Sequence, residues 1–319
     1  MDNICHTLAG AALAKTGLER RTALGTATLM IGANFPDVDV IAVPLGMSFE
    51  WRRGLTHGVL ALVVLPFVLT ALMLAWDRLV RRRRGAARRP ADPRALLLLS
   101  GISILTHPVL DWMNVYGVRW LMPFDGTWFY GDALFIVDPW IWAALAVGVI
   151  ASRRRWRRGE DAARARRPAL LSLVVVSVYI VGMFALGRVG ERQVRRVLAE
   201  RGVERVDRMM VAPVPVNPLR RHVVVSVNDG AAYRFADLRW TPSGSVTPDE
   251  FELESHLDTP AAELARRSPR GAGFLQWARF PFVVAEGRGR DSSLWIGDAR
   301  YTVDPQLSWA AVRVEPRGE

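Results

Sequence analysis

Cysteine is nearly absent: Cys5 is the sole one in 319 residues. A single cysteine excludes an intrachain disulfide and a cysteine-rich structural zinc site, and leaves the compartment open. No phosphate-binding glycine loop, nucleophile elbow or Ser/His/Asp pattern occurs, which removes the common nucleotide-binding and serine-hydrolase readings. The opening Met-Asp-Asn-Ile-Cys-His lacks the basic start of a secretory signal. Membrane insertion is therefore expected to rest on internal segments that stay in the mature protein. Histidine is scarce too, five in all, and acidic residues are outnumbered, for a formal net charge of +11 carried almost wholly by arginine. That balance points to nucleic acid or an anionic membrane surface. No recognition motif and no interleaving of aromatic and basic residues accompanies it, so no specific nucleic-acid partner is expected.

What is abundant is apolar. Half of the residues are hydrophobic, and they are concentrated in residues 1–187. The runs 58–76 and 168–187 are uncharged and close to the ~20 residues that cross a bilayer core as helix. Residues 95–110 are shorter and contain His107; residues 133–151 are apolar apart from Asp138. These four are read as transmembrane helices, against the competing reading of burial in a soluble core. Before them, 4–18 and 22–35 are rich in Ala, Gly and Leu and joined by Glu19-Arg20-Arg21. They predict a helical hairpin packed through small residues, which either crosses the membrane or enters it partway.

Loop charge predicts an orientation. Arg78, Arg81, Arg82, Arg83, Arg84, Arg88, Arg89 and Arg94 follow the first strong span, and Arg153, Arg154, Arg155, Arg157, Arg158, Arg164, Arg166 and Arg167 precede the last. Short arginine-rich loops stay in the cytoplasm. The segments 34–54 and 111–132 carry only Arg52, Arg53 and Arg119, and are expected outside the cytoplasm, with the N-terminus and the C-terminal region. The tryptophan-rich stretch 112–142 reads as an interfacial belt. Residues 188–319 open with a charged, helix-like stretch, 188–208. Short alternating runs at 222–227 and 233–240 then predict strands, separated by turn signals at 228–230, 242–244 and 287–289. The expected fold is mainly α: a polytopic helical membrane bundle of four to six spans over residues 1–187, and a small β-rich soluble domain over 188–319.

Three histidines lie in the apolar half: His6, His57 and His107. Histidine in a membrane segment is costly and usually functional. Asp2 stands four residues before His6 and Asp111 four after His107, a spacing that shares one helix face. Asp37 and Asp39 end the second apolar run, and Asp138 sits inside the fourth. The predicted topology gathers His6, Asp37, Asp39, His57, His107 and Asp111 at one membrane face, although nothing in the charge argument required it. A His/Asp set without cysteine suits one to three divalent ions, zinc first and manganese second. Asp2 and Asp39 are candidates for a base or for supporting the ligands, and Asp138 is a further candidate ligand. Each residue also has a plainer role to play. Aspartates at Asp2, Asp37 and Asp138 could cap helices or start turns, and a single histidine in a helix is commonly a hydrogen-bond partner. Thr56-His57 and Thr106-His107 echo each other, but Pro108 disfavours helix at the residue before it, so His107 could instead cap a helix starting at Pro108. Neither His222 nor His256 has a ligand-like cluster around it, and both read as surface or strand histidines.

The opening Met1-Asp2-x-Ile4-x-His6-Thr7-x-x-Gly10 resembles that of a bacterial and archaeal family of membrane-bound proteins classed as metal-dependent hydrolases, the YdjM/YbcI type. So do Asn34-Phe35-Pro36-Asp37-Val38-Asp39, Arg53-Gly54-Leu55-Thr56-His57, His107-x-x-Leu110-Asp111, Tyr116-Gly117, Trp120-x-x-Pro123-Phe124 and Phe135-Ile136-Val137-Asp138-Pro139. The ordered set covers residues 1 to about 142, with a looser echo at Asn217-Pro218 and Arg279-Phe280-Pro281. The chain departs at Cys5 and Gly58, where the pattern has Thr and Ser, and at Pro108. The resemblance implies that His6, Asp37, Asp39, His57, His107 and Asp111 are metal-site positions. It also implies a distant similarity to zinc-dependent phospholipase C and P1-type nucleases, hence a phosphoester substrate. The function expected on these grounds is a hydrolase of the cytoplasmic membrane, acting at its outer face on an amphiphilic phosphoester, with membrane lipids as its surroundings. The alternatives are a metal-binding membrane scaffold or regulator without turnover, and an ion transporter.

Overall fold

The computed structural model describes residues 1–42, 51–83, 90–203, 205–240, 245–286 and 293–314. Arg84, Arg88 and Arg89 of the first arginine loop, and the turn signals at 242–244 and 287–289, lie outside the described residues. Two compact units divide the chain: Met1–Val40 with Arg52–Phe184, and a second built on Ala185–Glu319.

The first unit is helical, and aspartate sets where its helices begin. Asp2 caps α1 (Asn3–Lys15) by accepting the Ile4 and Cys5 amides at 2.9 and 3.1 Å. Asp92 and Asp138 cap α4 (Pro93–Trp112) and α5 (Pro139–Arg157) in the same way, each followed by a proline whose missing N–H costs nothing at a first helical position. Between α1 and α4 lie α2 (Gly25–Gly32), a 3₁₀ segment Phe35–Ala42, and α3 (Val59–Trp76), which ends in a π turn, Asp77–Arg81. The predicted hairpin of 4–35 is there, and its closeness is literal: a Cβ on Gly10 would stand 2.4 Å from the Leu29 carbonyl oxygen. α2 has eight residues, about 12 Å at 1.5 Å per residue. That is far short of a ~30 Å hydrocarbon core, so the hairpin helices do not each make a span.

Three helices are long and apolar enough to cross a membrane among the described residues: Val59–Arg81, Pro93–Trp112 and Ala162–Glu200, the last being α6. Only 28% of the apolar window of the first and 22% of that of α6 is buried. α3 turns Val63, Phe67 and Leu72 outward, and α6 turns out Leu171, Val174, Val178 and Val181. Stripes of this size are unfavourable against water and favourable against lipid. The fourth expected span is revised. Residues 133–138 are not helical: Ala133 and Leu134 donate to the Met113 carbonyl, and the helix starts only after the Asp138 cap. It then runs on to Arg157 and takes four arginines with it, which removes it from the long apolar class. His107 is not a cap either. α4 runs unbroken through Pro108, leaving the Ile104 carbonyl without its usual donor.

The second unit begins on the C-terminal part of α6. The charged stretch 188–200 continues the apolar helix without a break, whereas residues from Arg208 enter a strand. An antiparallel meander β1 (Arg208–Pro213), β2 (Arg220–Val227), β3 (Ala232–Arg239) and β4 (Ser245–Glu254) pairs in sequence order. The tight turn at Asn228-Asp229-Gly230 uses left-handed backbone, the conformation that Asn, Asp and Gly tolerate. Val194 and Leu198 of α6 pack on Val211, Val223, Val225 and Leu238 of this sheet. A second sheet orders β5 (Pro281–Glu286), β6 (Ser293–Asp298) and β7 (Ala311–Val314), preceded by α7 (Pro260–Arg267) and α8 (Pro269–Trp277).

Candidate metal centre

Three elements of the first unit bring four side chains to one buried point. Asp37 comes from the 3₁₀ segment after α2, His57 from the turn before α3, and His107 and Asp111 from successive turns of α4. One ligand atom from each of these four lies within 4.8 Å of the others. Local geometry explains the placement. Asn34 ties the end of α2 to α1 by donating to the Thr7 hydroxyl at 3.0 Å, and the Asp37 amide closes onto the Asn34 carbonyl. At the His57 turn, a Cβ on Gly58 would stand 2.4 Å from the Met122 carbonyl oxygen, and the Val59 amide donates to Trp120. The chain can pass over that turn so closely because residue 58 has no side chain.

Hydrogen bonds set the tautomers. His107 donates from Nδ1 to the Ala33 carbonyl oxygen at 2.7 Å. His57 Nδ1 lies 2.9 Å from the Thr56 hydroxyl, which itself donates to Asp39 Oδ2 at 3.0 Å and so is free to accept from the ring. Both Nδ1 hydrogens are thus accounted for, and each neutral ring is left with a bare Nε2. These two nitrogens face each other at 3.1 Å. Lone pairs so close repel unless a proton or a cation lies between them. Asp37 Oδ1 stands 3.9 and 3.6 Å from the two nitrogens, and Asp111 Oδ2 stands 3.5 Å from each. Two unprotonated imidazoles and two carboxylates around one point match the donor set of a divalent ion such as zinc or manganese. Ring nitrogens anchored from behind are the usual support of such ligands. Burial outweighs the Asp111 hydrogen bond and holds the His57 imidazole below its ordinary value, in the neutral form that binds metal.

The other predicted positions fall around this core. His6 stacks on His107 with ring centroids 3.9 Å apart, and its Nε2 lies 3.3 Å from Asp111 Oδ1. It braces a ligand pair and is not among the four. The Met1 amino group bonds the same carboxylate oxygen. Asp39 stands behind His57, taking Thr56, the Arg53 amide at 2.8 Å and the far side of the ring at 3.5 Å. Asp2 caps α1 and accepts the Trp142 indole at 3.0 Å, and Asp138 caps α5 and accepts the Tyr179 hydroxyl at 2.9 Å. Neither belongs to the cluster. Sequence reasoning missed Arg52 and Asn114, and took Arg53 only as motif and loop charge. Arg53 is buried, with Nε 2.9 Å from Asp111 Oδ2 and a terminal nitrogen donating to Asn114 and the Gly117 carbonyl. The available signal was a pair of arginines in a segment that the topology otherwise leaves poor in positive charge.

The model of the YdjM inner membrane protein family matches residues 1–189. That is more than half of the chain and includes every residue of the cluster. No curated protein and no solved structure matches the chain.

Proposed function

From membership of the YdjM inner membrane protein family, we propose that the chain is a membrane-bound, metal-dependent hydrolase of a phosphoester carried on an amphiphilic molecule. Asp37, His57, His107 and Asp111 hold the divalent ion, zinc before manganese. The observation that carries this reading is the 3.1 Å approach of two bare Nε2 atoms, flanked by two carboxylates. A bound ion of this kind supplies Lewis acidity and lowers the pKa of water toward neutrality. The residues do the rest. His107 and His57 keep their Nε2 atoms unprotonated through Ala33, Thr56 and Asp39, and His6 and Arg53 fix the Asp111 carboxylate. Of the two candidate bases, Asp39 is the better placed, since its Oδ1 accepts no hydrogen bond among the described residues. Asp2 is committed to a helix cap and an indole. The phosphoester preference rests on the distant similarity that the family resemblance implies to zinc-dependent phospholipase C and P1-type nucleases. The arginine loops support a cytoplasmic-membrane location with the site on the outer side.

Metal analysis by mass spectrometry of the detergent-purified protein tests the reading. Wild type is expected to hold at least one equivalent of zinc or manganese, and His57→Ala/His107→Ala to hold none. A wild type that stays metal-free after reconstitution with zinc or manganese sinks it. Given bound metal, phosphodiester lipid hydrolysis that disappears in His107→Ala separates an enzyme from a scaffold.

A further inference from the structure

Arg52 and Arg53 are neighbours in the chain, yet they serve opposite sides of the cluster. Arg53 adopts left-handed backbone, φ +50°, which turns the chain between the two side chains. Arg53 goes inward to Asp111, Asn114 and the Gly117 carbonyl, its guanidinium 4.5 Å over the Tyr116 ring. Its side chain is 6% exposed. Arg52 goes to the outer carboxylates: a terminal nitrogen lies 3.3 Å from Asp37 Oδ1, and Nε lies 3.7 Å from Asp39 Oδ1 without a hydrogen bond. Of the four candidate ligands, only Asp37 keeps measurable exposure, 10%, and Arg52 beside it keeps 27%. The cluster therefore opens on the side where Arg52 stands.

Charge gives that position a purpose. Three carboxylates, Asp37, Asp39 and Asp111, face the two guanidiniums and the Met1 amino group. A divalent ion tips that balance positive. Once Asp37 gives its oxygen to a metal, it is a weaker partner for Arg52, and the fork of Arg52 donors is left beside a positive, partly open site. A guanidinium fork in that setting matches a phosphoryl group, whose oxygens accept two parallel N–H bonds. We propose that Arg52 is the substrate-binding residue of the site: it grips the phosphoryl oxygens of a ligand held at the Asp37 side of the metal. This rests on the metal-site reading above.

The test uses the full-length protein in detergent, zinc-loaded and zinc-free, with metal content measured in every sample. Phenylglyoxal labelling of Arg52, read by peptide mass spectrometry, is followed with inorganic phosphate or with a short-chain phosphatidic acid as the added probe. In zinc-loaded wild type, either probe is expected to protect Arg52. Protection by both assigns the phosphoryl group alone; protection by the phosphatidic acid only assigns a lipid headgroup held with its chains. Zinc-free protein is expected to show no protection. Alongside, Arg52→Gln is expected to retain zinc and to weaken phosphate binding roughly ten- to a hundredfold, as loss of charge-assisted hydrogen bonds does. Arg52→Lys keeps the charge without the fork and falls between. Zinc bound with no protection by either probe, or phosphate affinity in Arg52→Gln within about twofold of wild type, overturns this inference and leaves the metal site standing. Wild type that binds no metal overturns both.

Discussion

Asp111 and Asp37 are both candidate ligands, but their surroundings predict different consequences for the same isosteric change. Asp111 is fully buried, and its oxygens serve the Met1 amine, His6 and Arg53 as well as the two facing histidines. In Asp111→Asn the volume stays and the charge goes. Arg53 then remains inside the protein with only neutral oxygens from Asn114 and Gly117. Removing one partner of a buried ion pair costs about 3–5 kcal/mol, because the other charge is left uncompensated. At roughly 2–4 °C per kcal/mol for a chain unit of this size, the melting temperature falls by on the order of 10 °C. Asp37 pairs with Arg52 at the partly exposed edge, where an ion pair contributes roughly 0–1 kcal/mol. Asp37→Asn should therefore melt within a few degrees of wild type. The comparison is made by tryptophan fluorescence on metal-stripped proteins, so that ligand loss does not enter, and metal retention is measured separately. Both variants should fail to retain zinc. If metal-free Asp111→Asn melts like wild type, or Asp37→Asn falls as far as Asp111→Asn, the division into an inner anchor and an outer ligand is wrong.

Two further outcomes follow from the same geometry. In Gly10→Ala the new methyl would stand 2.4 Å from the Leu29 carbonyl oxygen, so α1 and α2 must part; a loss of about 1–3 kcal/mol is expected. Gly101→Ala, with open space at its Cβ, should be neutral or stabilising by up to about 1 kcal/mol, and thermal unfolding of the two side by side decides. Because burial holds the His57 imidazole below its ordinary 6.5, acidification toward that value should protonate it less than an exposed imidazole and should leave bound zinc in place. The unfolded chain does take up that proton, so the stability linked to neutral His57 is full above 6.5 and declines as the pH falls below it. Zinc lost on dialysis before the pH reaches 6.5 would contradict this.

How far the site could be read without coordinates depends on which physical constraint was local. Histidine and aspartate are expensive in apolar segments, so their recurrence at helix ends marked the neighbourhood of the site, and Asp37, His57, His107 and Asp111 do meet. The cap roles of Asp2 and Asp138 were equally local, since an aspartate before the first helical residue satisfies free amides by itself. What was not local was the division of labour. His6 and His107 have the same chemistry and similar neighbours, and only packing turns one into a ring stacked on the other. The helix boundaries failed for a related reason. Hydropathy averaged residues 133–138 into a span, although the Asp138-Pro139 pair already marked a start there. It also separated an apolar run from a charged one at residue 187, although nothing there breaks the helix and α6 runs through. Arg52 is the sharpest case. Counted with loop charges, an arginine informs topology alone, and its worth to the site depends on a left-handed residue beside it and on two carboxylates from another element. A basic pair in a segment otherwise poor in basic residues already carries information, because something other than loop charge must keep it there. Arg52 and Arg53, five and four residues ahead of His57, fit that reading: one stands beside Asp37 at the edge of the cluster and the other anchors the buried Asp111.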